Sequence, residues 1–217
     1  MAARLPNGST VDFVKTYGDD ITVTSISNAK PAVATAAAHG LVKGDIVVLT
    51  SGWLKLSGRG FRVGEVTVGT FELEGVDTTN TASYPVGVSA GTVKKAEEWV
   101  AISQITEVAS SGGEQQFYQY GYLEEDEDRQ IPTTKSPSTL TLTVADDPSQ
   151  LYVTVVEEAD ELKEERLQRL NLVNGDIILY NSIASITNTP TLNRNQIMVR
   201  TITLAQQGRV SRYRKLV

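Results

Sequence analysis

Five consecutive carboxylates, Glu124 to Asp128, form the densest group of reactive side chains in the 217-residue sequence. Paired carboxylates can cleave glycosides when a cleft holds them roughly 5 to 10 Å apart, but a flexible run of five does not fix that distance. Calcium chelation is an alternative, although the run lacks the spaced ligands and central glycine of a calcium loop. A third interpretation is a solvated loop, which is the usual role of a block of like charges.

The other residues offer little to a catalytic site. The chain has no cysteine and one histidine, His39, which excludes thiolate nucleophiles and metal sites built from cysteines or from two histidines. His39 precedes a glycine, and we interpret it as a turn residue rather than a catalytic base. Trp53 and Trp99 are interpreted as core or rim aromatics, with an interface as the alternative. The sequence therefore predicts a protein that is not an enzyme and has no catalytic, cofactor or metal site.

Charge and hydropathy restrict the partners. A net charge of −6 argues against general attraction to nucleic-acid phosphates or anionic lipid. No apolar run approaches the roughly 18 to 20 residues that span a bilayer, and the first residues lack the apolar core of a signal peptide. We therefore expect no membrane-spanning segment and folding in the cytoplasm where the chain is made.

On both sides of the acidic run, apolar and polar residues alternate with a period of two, which predicts a mainly β protein. Asn174-Gly175 predicts a two-residue type I′ turn between two long antiparallel strands. The predicted strands cover residues 20–27, 44–51, 61–76, 97–109, 138–146, 175–187 and 196–207.

One segment, beginning at Asp147, breaks this pattern and predicts a single helix. Asp147 is its predicted N-cap, and Pro148 suits its first position. The predicted apolar face contains Leu151, Val155, Ala159 and Leu162. Such a stripe would close one open face or end of a sheet.

Composition also divides the chain. Residues 19–95 carry most of the glycines and many short turns, which predicts a small all-β module. We expect it to be inserted in a discontinuous outer domain formed by residues 1–18 and 96–217. Below, residues 19–95 are called the module.

The acidic run lies in a stretch of about 17 residues, 121–137, that shows no regular pattern, and such long loops are usually functional or disordered. The cationic end of the chain, "GRVSRYRKLV", could meet this stretch in a neighbouring copy. In the acidic stretch the predicted contact residues are Tyr122, Glu124, Glu125, Asp126, Glu127, Asp128 and Arg129. In the C-terminal arm they are Arg209, Arg212, Tyr213, Arg214 and Lys215.

The order of these segments carries a family resemblance. In order they are "TVDFVKTYGDD", "WVAISQITEV", "GYLEEDED", "STLTLTVADDP", the helix, "RLNLVNGDIILYNSIASI" and "MVRTITLAQQGRV". This sequence resembles the major tail tube protein of long-tailed, lambda-like phages (siphoviruses). The resemblance covers residues 1–18 and 96–217 and rests on element order, the acidic loop, the Asn-Gly hairpin and the final strand. The module resembles a small β module common in phage structural proteins.

The resemblance implies a β-sandwich flanked by one helix, with hexameric rings stacked into the tail tube of the virion as a conduit for DNA ejection. Implied partners are other copies of the chain, a tape-measure protein in the lumen, tail terminator and tail-tip or baseplate proteins, and genomic DNA in transit without sequence-specific binding. We expect the module on the tube exterior and a net-negative lumen that does not grip phosphates. Alternatives are a monomeric or trimeric carbohydrate- or receptor-binding β-sandwich of a baseplate, a tail-completion ring protein, and a two-carboxylate hydrolase.

Overall fold

Strands dominate the computed structural model, which describes residues 7–216. The strands are β1 (Thr10–Tyr17), β2 (Ile21–Val23), β3 (Ser25–Ile26), β4 (Ala32–Thr35), β5 (Ile46–Ser51), β6 (Arg59–Val66), β7 (Thr70–Leu73), β8 (Gly91–Ile102), β9 (Ile105–Gly112), β10 (Gln115–Tyr120), β11 (Arg129–Lys135), β12 (Ser138–Ala145), β13 (Glu165–Asn171), β14 (Ile177–Ile186), β15 (Val199–Gln206) and β16 (Ser211–Tyr213). The helix α1 covers Leu151–Leu162. The predicted mainly β class with one helix is confirmed.

β10 and β11 form a separate pair, and the other fourteen strands join in one antiparallel sheet. The main path of this sheet runs β3-β4-β7-β6-β5-β8-β1-β13-β14-β15-β12-β9, with β2 paired to β8 and β16 paired to β14. Three predicted strands were too long: 20–27, 61–76 and 97–109 each contain two strands. The break in the third is at Gln104, whose φ of 57° interrupts extended backbone.

The part of the sheet from β8 through β1, β13, β14, β15 and β12 to β9 curves around the core. β8 and β9 lie at opposite ends of this seven-strand run, which in a flat sheet would put them roughly 29 Å apart. Only Ser103 and Gln104 connect them, and two residues bridge at most about 11 Å. The run must therefore curve back on itself. Its inner face is the concave one.

The concave face holds the main hydrophobic core. Phe13 from β1, Leu142 from β12 and Ile202 from β15 are fully buried in one cluster with α1. Alternate residues of β12 point inward, so Leu140, Leu142 and Val144 are buried while the threonines between them are half-buried. The period-two pattern of the sequence thus records which side of the rolled sheet each residue occupies.

The helix differs from its prediction at its N-terminus and on its buried face. Gln150, not Asp147, occupies the N-cap position, and no side chain caps the helix. Asp147 instead accepts hydrogen bonds from Ser149 and from the Gln150 side chain. Leu151 and Leu162, predicted to be buried, are 61% and 57% exposed. The residues that do pack inward are Tyr152, Val153, Val155, Val156 and Ala159.

Two further clusters concern the module. One cluster is its own core and includes Trp53, Phe61 and Phe71, all 2% exposed or less. The other joins the module to the convex side of the rolled sheet, where Ile46 packs with Leu167 and its neighbours. β8 also runs across the boundary between residues 95 and 96, pairing with β5 up to Lys95 and with β1 from Ala96 onward. The two-domain division stays a prediction, and the parts are joined by a shared strand and a shared cluster. Residues 1–6 and 217 of the predicted outer domain lie outside the described residues.

The predicted Asn-Gly hairpin is present between β13 and β14. Its turn is not type I′, because only Gly175 has a positive φ, of 82°. Gly175 N–H donates to Leu172 O, and Leu172 N–H donates to Asp176 O. This is a type I turn closed by a left-handed glycine, the usual three-residue alternative.

Candidate assembly surfaces

A projecting hairpin carries the acidic run. β10 and β11 extend the pair β9–β12 beyond Gly113 and Pro137, and together with residues 121–128 they form what we call the arm. The prediction of an irregular loop over 121–137 was wrong, because Arg129–Lys135 forms β11. The loop is confined to residues 121–128, the tip of the arm.

The arm exposes apolar side chains that no other part of residues 7–216 covers. Every residue of β11 is exposed, and β10 is exposed except at its ends. Tyr118 lies directly opposite Ile131, and these side chains are 63% and 50% exposed. Phe117 is 54% exposed and Leu123 at the tip fully so. Several exposed apolar side chains on one projecting hairpin commonly mark a contact with another molecule.

The tip is strongly acidic. Glu125 pairs with Arg129, whose guanidinium lies 5.9 Å from the ring centre of Tyr122. Within residues 7–216 the other carboxylates of the run form no ion pair: Glu124, Asp126, Glu127 and Asp128. The same residues contain no group of three or more His, Cys, Asp or Glu side chains arranged to hold a metal ion.

The C-terminal segment, residues 209–216, packs on its own subunit. β16 pairs with β14, and Tyr213 is 7% exposed beneath the guanidinium of Arg62. Arg212 forms a 3.1 Å ion pair with Asp176, which also accepts from Lys215 N–H. Hydrogen bonds from Asn174 and Arg212 lower the pKa of Asp176. Arg209, Arg214 and Lys215 remain exposed. The predicted contacts of these residues and of the tip with a neighbouring copy stay a prediction.

A cleft between the module and the C-terminal segment was missed in the sequence. It has a volume of about 520 Å³ and is lined by Arg59, Phe61 and Tyr84 of the module and by Arg209, Arg212 and Arg214. We call it the arginine cleft. Arg59 lies in Gly58-Arg59-Gly60, which fits no ligand-binding motif, and nothing local to it indicates a partner 150 residues away.

The convex side of β9, β12 and β15 presents a second surface. On β12, Thr139, Thr141 and Thr143 alternate with the core leucines, and the register places the following residues beside them: Glu107, Ala109 and Ser111 of β9, and Thr201, Thr203 and Ala205 of β15. These nine residues, the hydroxyl face, are half-buried or exposed, and Glu107 carries the one charge among them.

The residues considered for chemistry are structural. His39 is 6% exposed, its Nε2 donates to Thr67 O and its Nδ1 accepts from Leu41 N–H, so two hydrogen bonds hold the ring in a turn. Trp53 is a core residue, and its Nε1 donates to Pro85 O. Trp99 packs against the cluster of Ile46 and Leu167 that joins the module to the rolled sheet, and the Arg169 guanidinium lies 4.5 Å from its ring centre.

Across residues 7–216, no helix combines the length and the apolar character that a bilayer span requires.

Among solved structures, the chain is similar to the cap of the anti-feeding prophage, with 21% identity and a TM-score of 0.37 over 49% of this chain and 78% of that one. It is also similar to the sheath/tube terminator of an extracellular contractile injection system, PVC, with 20% identity and a TM-score of 0.39 over 52% and 86%. No curated protein matches.

The family comparison covers most of the chain. The model of the phage tail tube protein family matches residues 51–215, which include the second half of the module, the arm and the C-terminal segment. Members of this family are structural proteins, which agrees with the predicted absence of an enzymatic site. The chain therefore belongs to the phage tail tube protein family, as a structural component of the virion tail.

Proposed function

We propose that this protein forms hexameric rings that stack into the tail tube of a long-tailed phage, through which genomic DNA is ejected into the host. The observation that carries this proposal is the arm, which exposes apolar residues on both of its strands and contacts no hydrophobic core within residues 7–216. A neighbouring copy is the partner that every subunit of a ring has, and its surface would cover Tyr118 and Ile131.

The open edge of the rolled sheet supports ring formation. Among the strands of residues 7–216, β9 is paired on one side only, by β12, and almost all its side chains are exposed. Unpaired edge strands are prone to accept another strand. A head-to-tail contact that closes by rotation gives each such edge a partner and leaves none open.

The hydroxyl face supports a DNA conduit. A wall that passes a duplex must not bind it, and each Lys or Arg that neutralises a phosphate adds affinity through counterion release. Thr141 and its neighbours on this face carry no positive charge, and Glu107 adds a negative one. We therefore place the hydroxyl face toward the lumen.

The module belongs on the tube exterior in this arrangement. It packs through Ile46 on the part of the convex surface formed near Leu167 and Leu179 of β13 and β14. Because the sheet is rolled, that part faces away from the hydroxyl face of β9, β12 and β15. A module inside the lumen would obstruct it.

The remaining partners follow from the tube. A tape-measure protein would occupy the lumen during assembly, and terminator and tail-tip or baseplate proteins would close the two ends. Subunits would fold in the host cytoplasm and then assemble into the virion.

The test is negative-stain electron microscopy of the purified protein across a concentration series, with sedimentation in parallel. Hollow, sixfold tubes with outward knobs are expected. Limited proteolysis of the tubes should cleave the module and spare the hydroxyl-face strands. A protein that remains monomeric at every concentration would contradict the proposal and favour a receptor-binding module instead.

A further inference from the structure

We propose that the arginine cleft of one subunit receives the acidic tip of the arm of another copy. This inference rests on the proposed function and names the contact that joins the subunits. The predicted cationic contacts in the C-terminal segment were Arg209, Arg212, Arg214 and Lys215. The cleft keeps Arg209 and Arg214 in this role and adds Arg59.

Three arginines of the cleft lack a carboxylate partner within residues 7–216. The guanidinium of Arg59 donates to three neutral acceptors, Arg209 O at 3.2 Å, Lys55 O at 3.2 Å and Ser211 Oγ at 3.3 Å. These bonds hold its position without balancing its charge. Arg209 and Arg214 line the same cleft with exposed side chains and form no ion pair in that part of the chain.

The other charges of the cleft are already balanced. Glu74 forms an ion pair with Arg62, and Asp77 forms one with Lys30 at 3.1 Å. Arg212 is held by Asp176. Arg59 is half-buried, and this burial desolvates its charge in part and lowers its pKa. A carboxylate brought in from outside would meet three cations and no competing anion that is free.

The tip has the matching composition. Glu124, Asp126, Glu127 and Asp128 have no ion pair within the described chain, and Leu123 beside them is fully exposed. Tyr84, which is half-buried, gives the cleft an aromatic wall beside its cations. The tip therefore offers both carboxylates and an apolar side chain to a site that is cationic and partly aromatic.

The tip must enter a cleft of a different copy. The base of the arm lies beside the C-terminal segment of its own subunit, where Lys135 and Pro137 share a depression with Gln207 and Arg209. From that base, six or seven residues at ~3.3 Å each carry the tip roughly 20 Å away. The arm thus leaves its own cleft behind and extends toward a neighbour.

Charge exchange tests the contact. The cleft variant R209E/R214E and the tip variant E124K/E127K should each raise the protein concentration needed for tube formation at least about tenfold, with unchanged thermal unfolding of the monomer. A protein with all four substitutions should assemble near the wild-type concentration. The matched control R194E reverses an exposed cation outside the cleft and should assemble normally. A fourfold variant no better than the tip variant overturns the proposal.

The absence of cysteine permits a direct second test. D126C/R214C protein should form disulfide-linked ladders across copies in tubes under mild oxidation, while D126C/R194C should not. Wild-type tubes with no ladder in the first variant would overturn this inference and leave the proposed function standing. Wild-type protein that never forms tubes would overturn the proposed function, and the inference with it.

Discussion

Two hairpins of the same molecule use similar strands for different purposes. The hairpin β13–β14 buries Leu167, Leu179 and Ala184 to 1% exposure or less. The arm, β10–β11, is paired along its length yet leaves its strands exposed. Both hairpins therefore have hydrogen bonds between their strands, and they differ in whether their side chains are buried. The buried side chains of the first hairpin stabilise the monomer, whereas the exposed side chains of the second are available to a partner.

The contrast has an energetic consequence. An isolated two-stranded hairpin is marginally stable in water, since its ladder alone does not offset the ordering of its chain. The arm tolerates this because it continues from β9 and β12, which fix its base. Its apolar residues should therefore matter little to folding and much to assembly.

The largest expected effect is the loss of tubes when the apolar pair of the arm is removed. Y118S/I131S deletes two side chains that face each other across the arm and are open to solvent. We expect no tubes by electron microscopy and a melting temperature of the monomer within a few degrees of wild type. Leu54, 89% exposed in the module, provides the control, and L54S should assemble. Normal tubes from Y118S/I131S would remove the arm from the interface.

The next effect separates the rolled sheet from the arm by stability. Leu142 is fully buried in the rolled sheet, and L142A should lower the free energy of unfolding by about 2 to 5 kcal/mol. The arm variant I131A removes a similar volume from an exposed site and should cost less than about 0.5 kcal/mol in the monomer. Urea unfolding at concentrations below assembly measures both. Equal losses would mean that the arm packs on its own subunit in solution.

A smaller effect depends on pH and concerns the junction beside β13. The β1–β13 ladder ends at Phe13 and Gln168, and Tyr17 Oη accepts the next N–H, that of Leu167, at 2.8 Å. Burial raises the pKa of Tyr17 from 10.0 to about 12. The unfolded chain therefore ionises first, so the stabilising contribution is complete below pH 10 and is lost as pH rises toward 12.

Y17F should flatten this alkaline decline, which we expect to be about 1 to 2 kcal/mol for the wild type. Stability curves from urea unfolding at pH 9 to 12 provide the measurement. The control F13L introduces no ionisable group, and it should lower stability at every pH without changing the slope. An unchanged slope in Y17F would assign the decline to other tyrosines.

The sequence predicted the buried strands better than the exposed ones, for a physical reason. β12 alternates core leucines with threonines because it has one inward side, and this produces a period of two. β11 has no inward side and contains Pro132, so no alternation marks it, and its residues were assigned to a loop. The acidic tip was identified because its charges are consecutive. The arginine cleft was not, since Arg59 and Arg209 meet only through the tertiary fold.

The smallest effect concerns the turn of the buried hairpin. Gly175 has a φ of 82°, and a Cβ there would lie 2.7 to 3.1 Å from side-chain atoms of Lys215. G175A should cost about 1 kcal/mol, because alanine is strained at positive φ and Lys215 must move. Gly69, in the turn between β6 and β7, has no positive φ, and a Cβ added there would have no atom within 4 Å, so G69A should be neutral or slightly stabilising. Urea unfolding of the monomer compares the two variants. A neutral G175A would mean that the turn relaxes to another type, and that the hairpin is held by its buried side chains alone.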